Sequence, residues 1–446
     1  MKSLHELSVG LSNGTLTARG LADEALAKIA DENGEGERVF LRVDEHAVRA
    51  DADYMDGLRA TGRSPSTYAG IPMSLKDLFD VAGEVTAAGS AVLRNAPPAI
   101  RDARVVARLK AAGFINMGRT NMTEFAYSGV GLNPHYGTPA SVWDRETGRI
   151  PGGSSSGAAV SVADNMAAIA MGTDTGGSCR VPAAFNRVVG VKPTTGRVST
   201  EGVYPLSKSL DAPGPFGKTV ACCAAADAIL AEDWDGVPTK RAPSTLRFAM
   251  LQTTAHDGLD ADVAAAIEAA YGALSAAGVQ FSDVTLPELE LLPQMNAKGG
   301  LAAAEAYAVH KALLASDGEK YDQRVATRIK SGSLQGADEL IDILTFRADI
   351  IASSRAALAG FDAFIMPTVP IVPPAIADLA RDEDYARINL QCLRNTFIGN
   401  FLDTCAISLP IGDPDGPPVG LMLMARGGDD HAMFAAAAAV EAVLQS

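Results

Sequence analysis

Two glycine-rich segments decide the fold: residues 151–157 read PGGSSSG and residues 172–180 read GTDTGGSCR. Both place small hydroxyl residues among glycines, and a strand-like stretch at residues 167–171 lies between them. A run of glycines lets backbone N–H groups converge on one point, as an oxyanion requires, and lets a substrate carbonyl approach the chain. Either segment alone is compatible with an ordinary tight turn. Together they point to a catalytic loop.

A serine nucleophile needs a base, and histidine is a poor candidate in this sequence. The six histidines are scattered, and none adjoins either glycine-rich segment. Lys76 directly follows the apolar run at residues 71–75, so we expect it at the end of a buried strand. Burial can lower a lysine pKa from about 10.4 to roughly 7–8, where the neutral amine acts as a base. The alternative is a structural lysine paired with Asp77 or Asp80.

Three blocks of the sequence resemble the signature of the amidase signature family. They are GIPMSLKD at residues 70–77, the segment at residues 151–157, and GTDTGGS at residues 172–178. Ser154 and Ser178 are 24 residues apart, as the two catalytic serines of that family are. The resemblance covers most of the chain, with further matches at residues 133–139, 190–194 and 209–211 and looser ones at 408–410 and 418–420.

The resemblance implies a Ser–cis-Ser–Lys triad. Ser178 would attack the amide carbonyl, Ser154 would relay its proton, and neutral Lys76 would be the final base. The leaving amine would take the proton back, and water would then cleave the acyl-enzyme. The peptide bond before Ser154 would be cis. The expected oxyanion donors are the backbone N–H groups of Thr175, Gly176, Gly177 and Ser178.

The activity implied by the resemblance is hydrolysis of a small carboxamide to a carboxylate and ammonia or an amine, without a cofactor. The pattern does not separate aliphatic, aryl, ureido and peptide-terminal amides. Arg180 either holds a substrate carboxylate or braces its loop. The candidate substrate-binding residues are Tyr127, Ser128, Arg180, Asn400 and Asp403.

Two positions depart from the usual family pattern. Ser156 stands where many members have glycine, and Cys179 stands where many have a branched aliphatic residue. Neither position belongs to the implied triad, so the implied activity is retained. Although Cys179 adjoins the expected nucleophile, we expect it to be a small buried apolar residue.

The composition of the 446-residue chain is that of a globular protein, with 47% apolar and 20% charged residues. These values exclude disordered and collagen-like classes. A net charge of −15 argues against general nucleic-acid binding. Five cysteines without a C-x-x-C pair favour reduced thiols and a cytoplasmic location. No apolar stretch approaches the roughly 18 residues of a membrane span, and no metal motif is present.

Alternating strands and helices predict an α/β fold, and the resemblance implies the amidase signature fold, a large mixed twisted sheet covered by helices on both faces. We expect one domain over residues 1–446, with N-terminal helices (1–60), a catalytic signature core (60–215) and a helical insert (290–360). Strands are expected at residues 71–75, 114–117, 167–171, 188–191, 246–251, 279–284, 363–366, 406–409 and 419–424. Further helices are expected at residues 101–112, 261–277 and 434–444.

Two local motifs suggest other classes of enzyme. Residues 153–157 fit G-x-S-x-G, the nucleophile elbow of α/β-hydrolases, but the polar residues 143–149 before them do not suit the strand that an elbow needs. Residues 212–219, APGPFGKT, loosely match the phosphate loop of an NTPase. Pro213 and Pro215 lack the N–H groups of a phosphate cradle, and Lys218 and Thr219 are expected to open a helix.

A third alternative shares the triad. The A-type subunit of the glutamine-dependent aminoacyl-tRNA amidotransferase releases ammonia from glutamine for a partner. Residues 290–360 and the C-terminal third do not resemble that subunit closely, and the acidic composition gives no sign of tRNA contact. We therefore prefer an enzyme that acts alone on a small-molecule amide, as a monomer or a homodimer. Dependence on an ATP-using partner would favour the amidotransferase.

Overall fold

A mixed 11-stranded sheet runs through the molecule in the order β1-β3-β2-β4-β6-β5-β10-β11-β9-β7-β8. The computed structural model describes residues 2–445. Strands β2, β3 and β4 run parallel to one another, as do β7, β8 and β9, whereas the other pairs are antiparallel. The strands are β1 Phe40–Arg42, β2 Pro72–Lys76, β3 Ile115–Thr120, β4 Ile169–Asp174, β5 Val189–Lys192, β6 Ala212–Gly217, β7 Arg247–Leu251, β8 Gln280–Val284, β9 Ala363–Pro367, β10 Cys405–Ile411 and β11 Val419–Ala425.

Helices cover both faces of the sheet. The side chains of β10 alternate between the faces: Ile407 and Leu409 pack in the cluster that contains helices α9 and α16, and Ala406 packs with α15. The helices are α1 Leu4–Ser12, α2 Ala18–Ile29, α3 Gly36–Val39, α4 Glu45–Ala60, α5 Arg104–Ala111, α6 Ser156–Ala163, α7 Arg180–Phe185, α8 Val220–Ala231, α9 Ala261–Ala276, α10 Leu292–Met295, α11 Gly300–Asp317, α12 Gln323–Ser331, α13 Ala337–Ala357, α14 Asp382–Arg394, α15 Thr396–Phe401 and α16 Asp430–Leu444.

All strands except β1 and β6 overlap a stretch that the sequence predicts as a strand. The inner strands are buried on both faces, so their sequences are mainly apolar, and the polar exceptions in β2 and β4 are Ser74, Lys76, Thr173 and Asp174. Strand β1 interrupts the N-terminal region that the sequence predicts as helical, and it pairs with β3. The helix expected at residues 101–112 is shorter, since α5 begins at Arg104.

The phosphate-loop alternative is wrong. Residues 212–217 form strand β6, which is fully buried and pairs with β4 and β5, so they cannot wrap around a phosphate. Thr219 caps α8 by accepting a hydrogen bond from the Cys222 amide, as expected of a residue that opens a helix. The nucleophile-elbow alternative also fails, because residues 151–155 follow a loop and not a strand.

All five cysteines are free and buried. Cys179 lies between β4 and α7, Cys222 and Cys223 lie in α8, Cys392 lies in α14 and Cys405 begins β10. Their relative exposure is at most 2%. No helix within residues 2–445 is both long and apolar enough to cross a membrane.

Candidate active site

Sheet topology brings the three signature blocks together. Because β2 and β4 are parallel neighbours, their carboxyl ends lie at the same edge of the sheet, which puts Lys76 beside the turn that follows Asp174. Strand β6 pairs antiparallel with β4, so its first residue, Ala212, lies opposite Asp174. Asp211 is thereby carried to the same turn.

Lys76, the last residue of β2, is completely buried. Its Nζ donates hydrogen bonds to Ser154 Oγ at 2.8 Å and to Thr173 Oγ1 at 3.0 Å. Burial lowers the pKa of Lys76 to about 8, although the nearby acidic groups of Cys179, Asp211 and Asp174 oppose this shift. A lysine amine with this pKa is substantially neutral in mildly alkaline solution and can accept a proton.

Lys76 forms no ion pair with Asp77 or Asp80. Asp77 instead binds Arg119, whose Nε lies 2.6 Å from the Asp77 carboxylate, and Asp77 also accepts the Gly89 amide. Asp80 accepts the Thr86 hydroxyl at 2.7 Å. Both bonds of the Lys76 ammonium therefore go to uncharged hydroxyl oxygens, so no carboxylate bonded to it holds its proton in place.

Ser154 lies in the loop before α6, and the Gly153–Ser154 peptide bond is cis. The Gly153 amide donates to the Gly129 carbonyl at 2.8 Å, and the Ser154 carbonyl accepts the Thr123 amide at 3.1 Å. A Cβ on Gly153 would lie only 2.6 Å from the Gly131 nitrogen, so this close approach of two backbone segments requires glycine. The loop holds the Ser154 hydroxyl against Lys76.

Ser178 lies in the turn between β4 and α7 and lines the large cavity described below. Its carbonyl accepts the Ser155 amide at 3.3 Å, which ties the two serine-containing loops together. Within residues 2–445, no hydrogen bond joins the Ser178 and Ser154 hydroxyls. The structure thus places the three residues of the implied triad on adjoining segments, with a direct hydrogen bond between Lys76 and Ser154.

Asp174 organises the turn that carries Ser178. Its Oδ1 accepts hydrogen bonds from the Gly177 amide, Arg180 Nη2 and Asn400 Nδ2, each at 2.9 Å. Its Oδ2 accepts from the Cys179 amide at 3.1 Å and from Arg180 Nε at 3.0 Å. Burial alone would raise the pKa of Asp174, but the Arg180 guanidinium and the Asn400 amide hold it at about 2. The carboxylate is therefore a permanent anion around which the turn folds.

This network decides between the two roles expected of Arg180 and gives Asn400 a structural contact in place of the expected substrate contact. Arg180 and Asn400 are buried, and Arg180 Nη2 also donates to Asn400 Oδ1 at 2.6 Å. Neither residue lines the cavity. Both bind Asp174, so Arg180 braces its loop. Asp403 does not line the cavity either. Its negative charge opposes the lowering that burial causes in the pKa of Lys192 and Arg347.

The expected set of oxyanion donors also needs a correction. The Gly177 N–H donates to Asp174, so it is not free for a substrate oxygen. Gly177 has φ +135°, and a Cβ there would collide with the Thr396 hydroxyl, which itself donates to the Gly176 carbonyl at 2.7 Å. The N–H groups of Thr175, Gly176 and Ser178 make no hydrogen bond within residues 2–445, and these three residues line the cavity.

Asp211 supports the turn from its other side. Its Oδ1 accepts the Thr175 hydroxyl at 2.5 Å, and its Oδ2 accepts the amides of Leu206 and Ser207 at 3.0 and 3.1 Å. Burial raises the pKa of Asp211 to about 6. The family resemblance includes this residue but implies no role for it. The family match is its signal in the sequence, and its place beside the turn follows only from the sheet order.

Cys179 is completely buried, and burial raises the pKa of its thiol far above the ordinary value. The backbone N–H of Cys179 donates a hydrogen bond to Asp174, whereas its sulfur lies 3.7 Å from the Gly214 carbonyl. A protonated, inaccessible thiol is a poor nucleophile. Cys179 therefore has the small, buried, apolar character expected of it.

A cavity of about 1310 Å³ opens in front of Ser178. Tyr127 and Ser128 line it, as the sequence predicts, together with Thr175, Gly176 and Ser178. Much of the remaining wall comes from α12 and α14. The wall residues that sequence reasoning missed include Arg328, Tyr385 and Asn389. Within residues 2–445, no cluster of three or more His, Cys, Asp or Glu side chains is arranged to hold a metal ion.

Comparisons with known proteins agree with this geometry. The family model described as Amidase matches residues 24–434. The 2-amino-5-chloromuconic acid deaminase of Comamonas testosteroni is 37% identical over 89% of this chain and 86% of its own length. The A-type subunit of the glutamyl-tRNA(Gln) amidotransferase of Chromohalobacter salexigens is 32% identical over 95% and 93%. A crystal structure of an amidase superposes with a TM-score of 0.89 at 30% identity, covering 99% of this chain and 100% of that one.

Proposed function

The chain belongs to the amidase family, and on that premise we propose which of its residues carry out the reaction. It is an enzyme that hydrolyses the C–N bond of an amide. We assign the nucleophile to Ser178, the proton relay to Ser154 and the general base to Lys76. The observation that carries this assignment is the 2.8 Å hydrogen bond from buried Lys76 to the Ser154 hydroxyl.

The acylation step follows from this arrangement. Ser178 Oγ forms a bond to the amide carbonyl carbon and gives its proton to Ser154, whose own proton passes to neutral Lys76. The carbonyl oxygen becomes an oxyanion that accepts hydrogen bonds from the free backbone N–H groups. The C–N bond then breaks, and the proton returns from Lys76 through Ser154 to the leaving nitrogen. Those free N–H groups belong to Thr175, Gly176 and Ser178.

Deacylation uses the same proton path a second time. Water adds to the ester carbon of the acyl-Ser178 and loses a proton through Ser154 to Lys76. The ester C–O bond breaks, Ser178 Oγ regains its proton, and a carboxylic acid leaves and ionises. Nucleophile, base and oxyanion donors are all groups of the chain, so these steps call for no cofactor.

We propose that the substrate is a small carboxamide and that the chain acts alone, as a monomer or a homodimer, in the cytoplasm. The cavity has room for a small molecule, and five free thiols suit a reducing compartment. The amidotransferase A-type subunit is the second candidate, since the relative of that name is similar over 95% of this chain. The two candidates differ in whether a partner is needed before glutamine is hydrolysed.

The test is ammonia release from a panel of aliphatic, aryl and ureido amides and glutamine, by the wild type and by Ser178→Ala. We expect the wild type to hydrolyse at least one small amide without a partner, and the variant to lose the reaction. Equal release by the two proteins would refute the assignment of Ser178. If glutamine is the one amide of the panel that is hydrolysed, and only when an ATP-using partner is present, the amidotransferase would be established.

A further inference from the structure

One wall of the cavity offers hydrogen-bond donors that are paired with no carboxylate among residues 2–445. It consists of Arg328 on α12 and Tyr385 and Asn389 on α14, and we call these three residues the donor wall. Tyr385 and Asn389 are four residues apart, which puts them on one face of their helix. We propose that the donor wall binds a carboxylate group of the substrate, so that the enzyme acts on amides that also carry a free acid. This assignment rests on the function proposed for Ser178 in the same cavity.

Arg328 supplies the positive charge. Its guanidinium stacks over the Tyr127 ring, 4.6 Å from the ring centre, and makes no ion pair within residues 2–445. The other arginines of the cavity are engaged: Arg324 binds Asp382 at 2.7 Å, and Arg394 donates to the Asp257 carbonyl at 2.7 Å. A planar guanidinium held on an aromatic face is well suited to bind a carboxylate with two parallel hydrogen bonds.

Tyr385 supplies an unpartnered buried hydroxyl. The residue is 4% exposed, and its Oη makes no hydrogen bond of ordinary length and angle within residues 2–445, although the Ser128 hydroxyl lies close enough to oppose the rise that burial causes in the pKa of Tyr385. A buried polar group without a partner is costly, so a bound acceptor would recover the lost interaction. The Arg324 guanidinium covers the ring of Tyr385 at 4.5 Å from its centre. The hydroxyl is thus fixed in place.

The orientation of the Asn389 side chain is set by the backbone N–H of Gly129, which can only donate a hydrogen bond. Its Oδ1 accepts the Gly129 N–H at 2.8 Å and the Ser128 hydroxyl at 3.0 Å. The oxygen must therefore face the backbone, which leaves the NH₂ group without an acceptor within residues 2–445. Asn389 lines the cavity and is 2% exposed. It adds a neutral donor to the guanidinium and the hydroxyl.

The acidic residues of the cavity do not supply the missing acceptor. Asp382 is paired with Arg324, and Asp322 caps α12 by accepting the Arg324 amide at 2.9 Å. Asp257 and Glu290 also line the cavity, but they lie in segments other than α12 and α14, which carry the donor wall. A ligand group that only accepts hydrogen bonds and carries negative charge fits three donors that line one cavity, and a carboxylate is the simplest such group on a small amide.

The test compares kcat/KM for matched amides of equal chain length. One set carries a terminal carboxylate (succinamate, glutaramate and adipamate), and the other is uncharged (butyramide, valeramide and hexanamide). We expect the wild type to prefer at least one acid over its uncharged match. Arg328→Gln should reduce that preference about 10- to 100-fold, chiefly through KM, as expected for the loss of a hydrogen-bonded charge pair.

Two further variants separate this role from a structural one. Tyr385→Phe removes only a hydroxyl and should reduce the preference about 3- to 10-fold. Arg394→Gln removes another guanidinium that lines the cavity but donates to the Asp257 carbonyl, and the preference should remain. Thermal unfolding of each variant checks that it is folded.

Equal kcat/KM for every matched pair, or a preference that survives Arg328→Gln, would overturn the carboxylate subsite. Neither result bears on Ser178. If Ser178→Ala kept its activity, the proposed nucleophile would fail, whatever the preference for acids. The two proposals can therefore fail separately.

Discussion

The turn around Asp174 and the donor wall solve opposite problems within one cavity. The Asp174 carboxylate is saturated by hydrogen bonds from its own turn and from Arg180, so the backbone beside Ser178 is held still. The donor wall keeps Arg328 and Tyr385 unpaired with any carboxylate among residues 2–445. A site that stabilises charge during a reaction must be rigid beforehand, whereas a site that selects a substrate must keep bonding capacity for it. The comparison predicts that damage to the first region affects all substrates and damage to the second affects only some.

The largest expected effect is that of Lys76→Ala in the first region. Removing the base should lower kcat about 10²- to 10⁴-fold for every amide in the panel, because proton removal from Ser178 would lose its final acceptor. Steady-state kinetics with a charged and an uncharged amide measure it. Lys76→Met, which fills the buried site with a neutral chain of similar length, is the matched control for packing. A loss confined to one class of amide would break the comparison.

The second prediction concerns stability. Arg180→Met should lower the free energy of unfolding by about 3–5 kcal/mol, because it leaves the Asp174 carboxylate buried without its counter-charge. Urea unfolding followed by circular dichroism gives the value. Adding Asp174→Asn to Arg180→Met should recover part of the loss, since the buried charge is then gone. A loss below about 1 kcal/mol would mean that the turn does not depend on this ion pair.

The third prediction is a pH profile. Lys76 accepts a proton only when neutral, and burial lowers its pKa to about 8, so the active fraction grows as pH rises towards that value. Below it, kcat/KM should rise about tenfold per pH unit, and above it the profile should level off. Assays of the wild type with an uncharged amide avoid ionisation of the substrate. A flat profile, or a rise centred near the ordinary lysine pKa, would contradict the role of Lys76.

The smallest effect is expected on the surface of the helical region. Lys298 and Glu339 form an ion pair at 2.6 Å, but both side chains are more than two-fifths exposed. Exposed pairs contribute little, so Lys298→Ala should leave the urea midpoint of unfolding almost unchanged. Urea unfolding of Lys298→Ala and Arg180→Met under the same conditions compares the stability that each ion pair contributes. Similar losses for the two variants would remove the distinction between them.

The sequence predicts the catalytic half of the cavity much better than the selective half. Lys76, Ser154 and Ser178 lie in motifs whose glycines are required by close approaches, as at Gly153 and Gly177. Such backbone constraints leave a local trace in the sequence. Strands buried on both faces leave another, which is why most strands are predictable. Strand β6 is not, because its two prolines and two glycines are typical of a turn.

The selective half leaves no such trace. A polar residue on a helix, such as Arg328 or Asn389, has the same pattern whether it faces solvent or a cavity. Its role depends on which helices line the cavity in front of Ser178, and Arg328 and Asn389 both line it although 61 positions of sequence separate them. The same reason explains Arg180 and Asn400, which the sequence suggests as substrate contacts. Only the fold reveals that both bind Asp174.

Because all five cysteines are buried, the reactivity of their thiols measures local opening of the protein. A soluble alkylating reagent cannot reach these thiols while the sheet and its helices are closed, so the rate of modification measures how often the chain opens. Because the cysteines are spread over β10, α8, α14 and the turn beside Ser178, peptide mapping of the labelled protein would show which part opens first. Inactivation by such a reagent would therefore report unfolding and not a catalytic thiol.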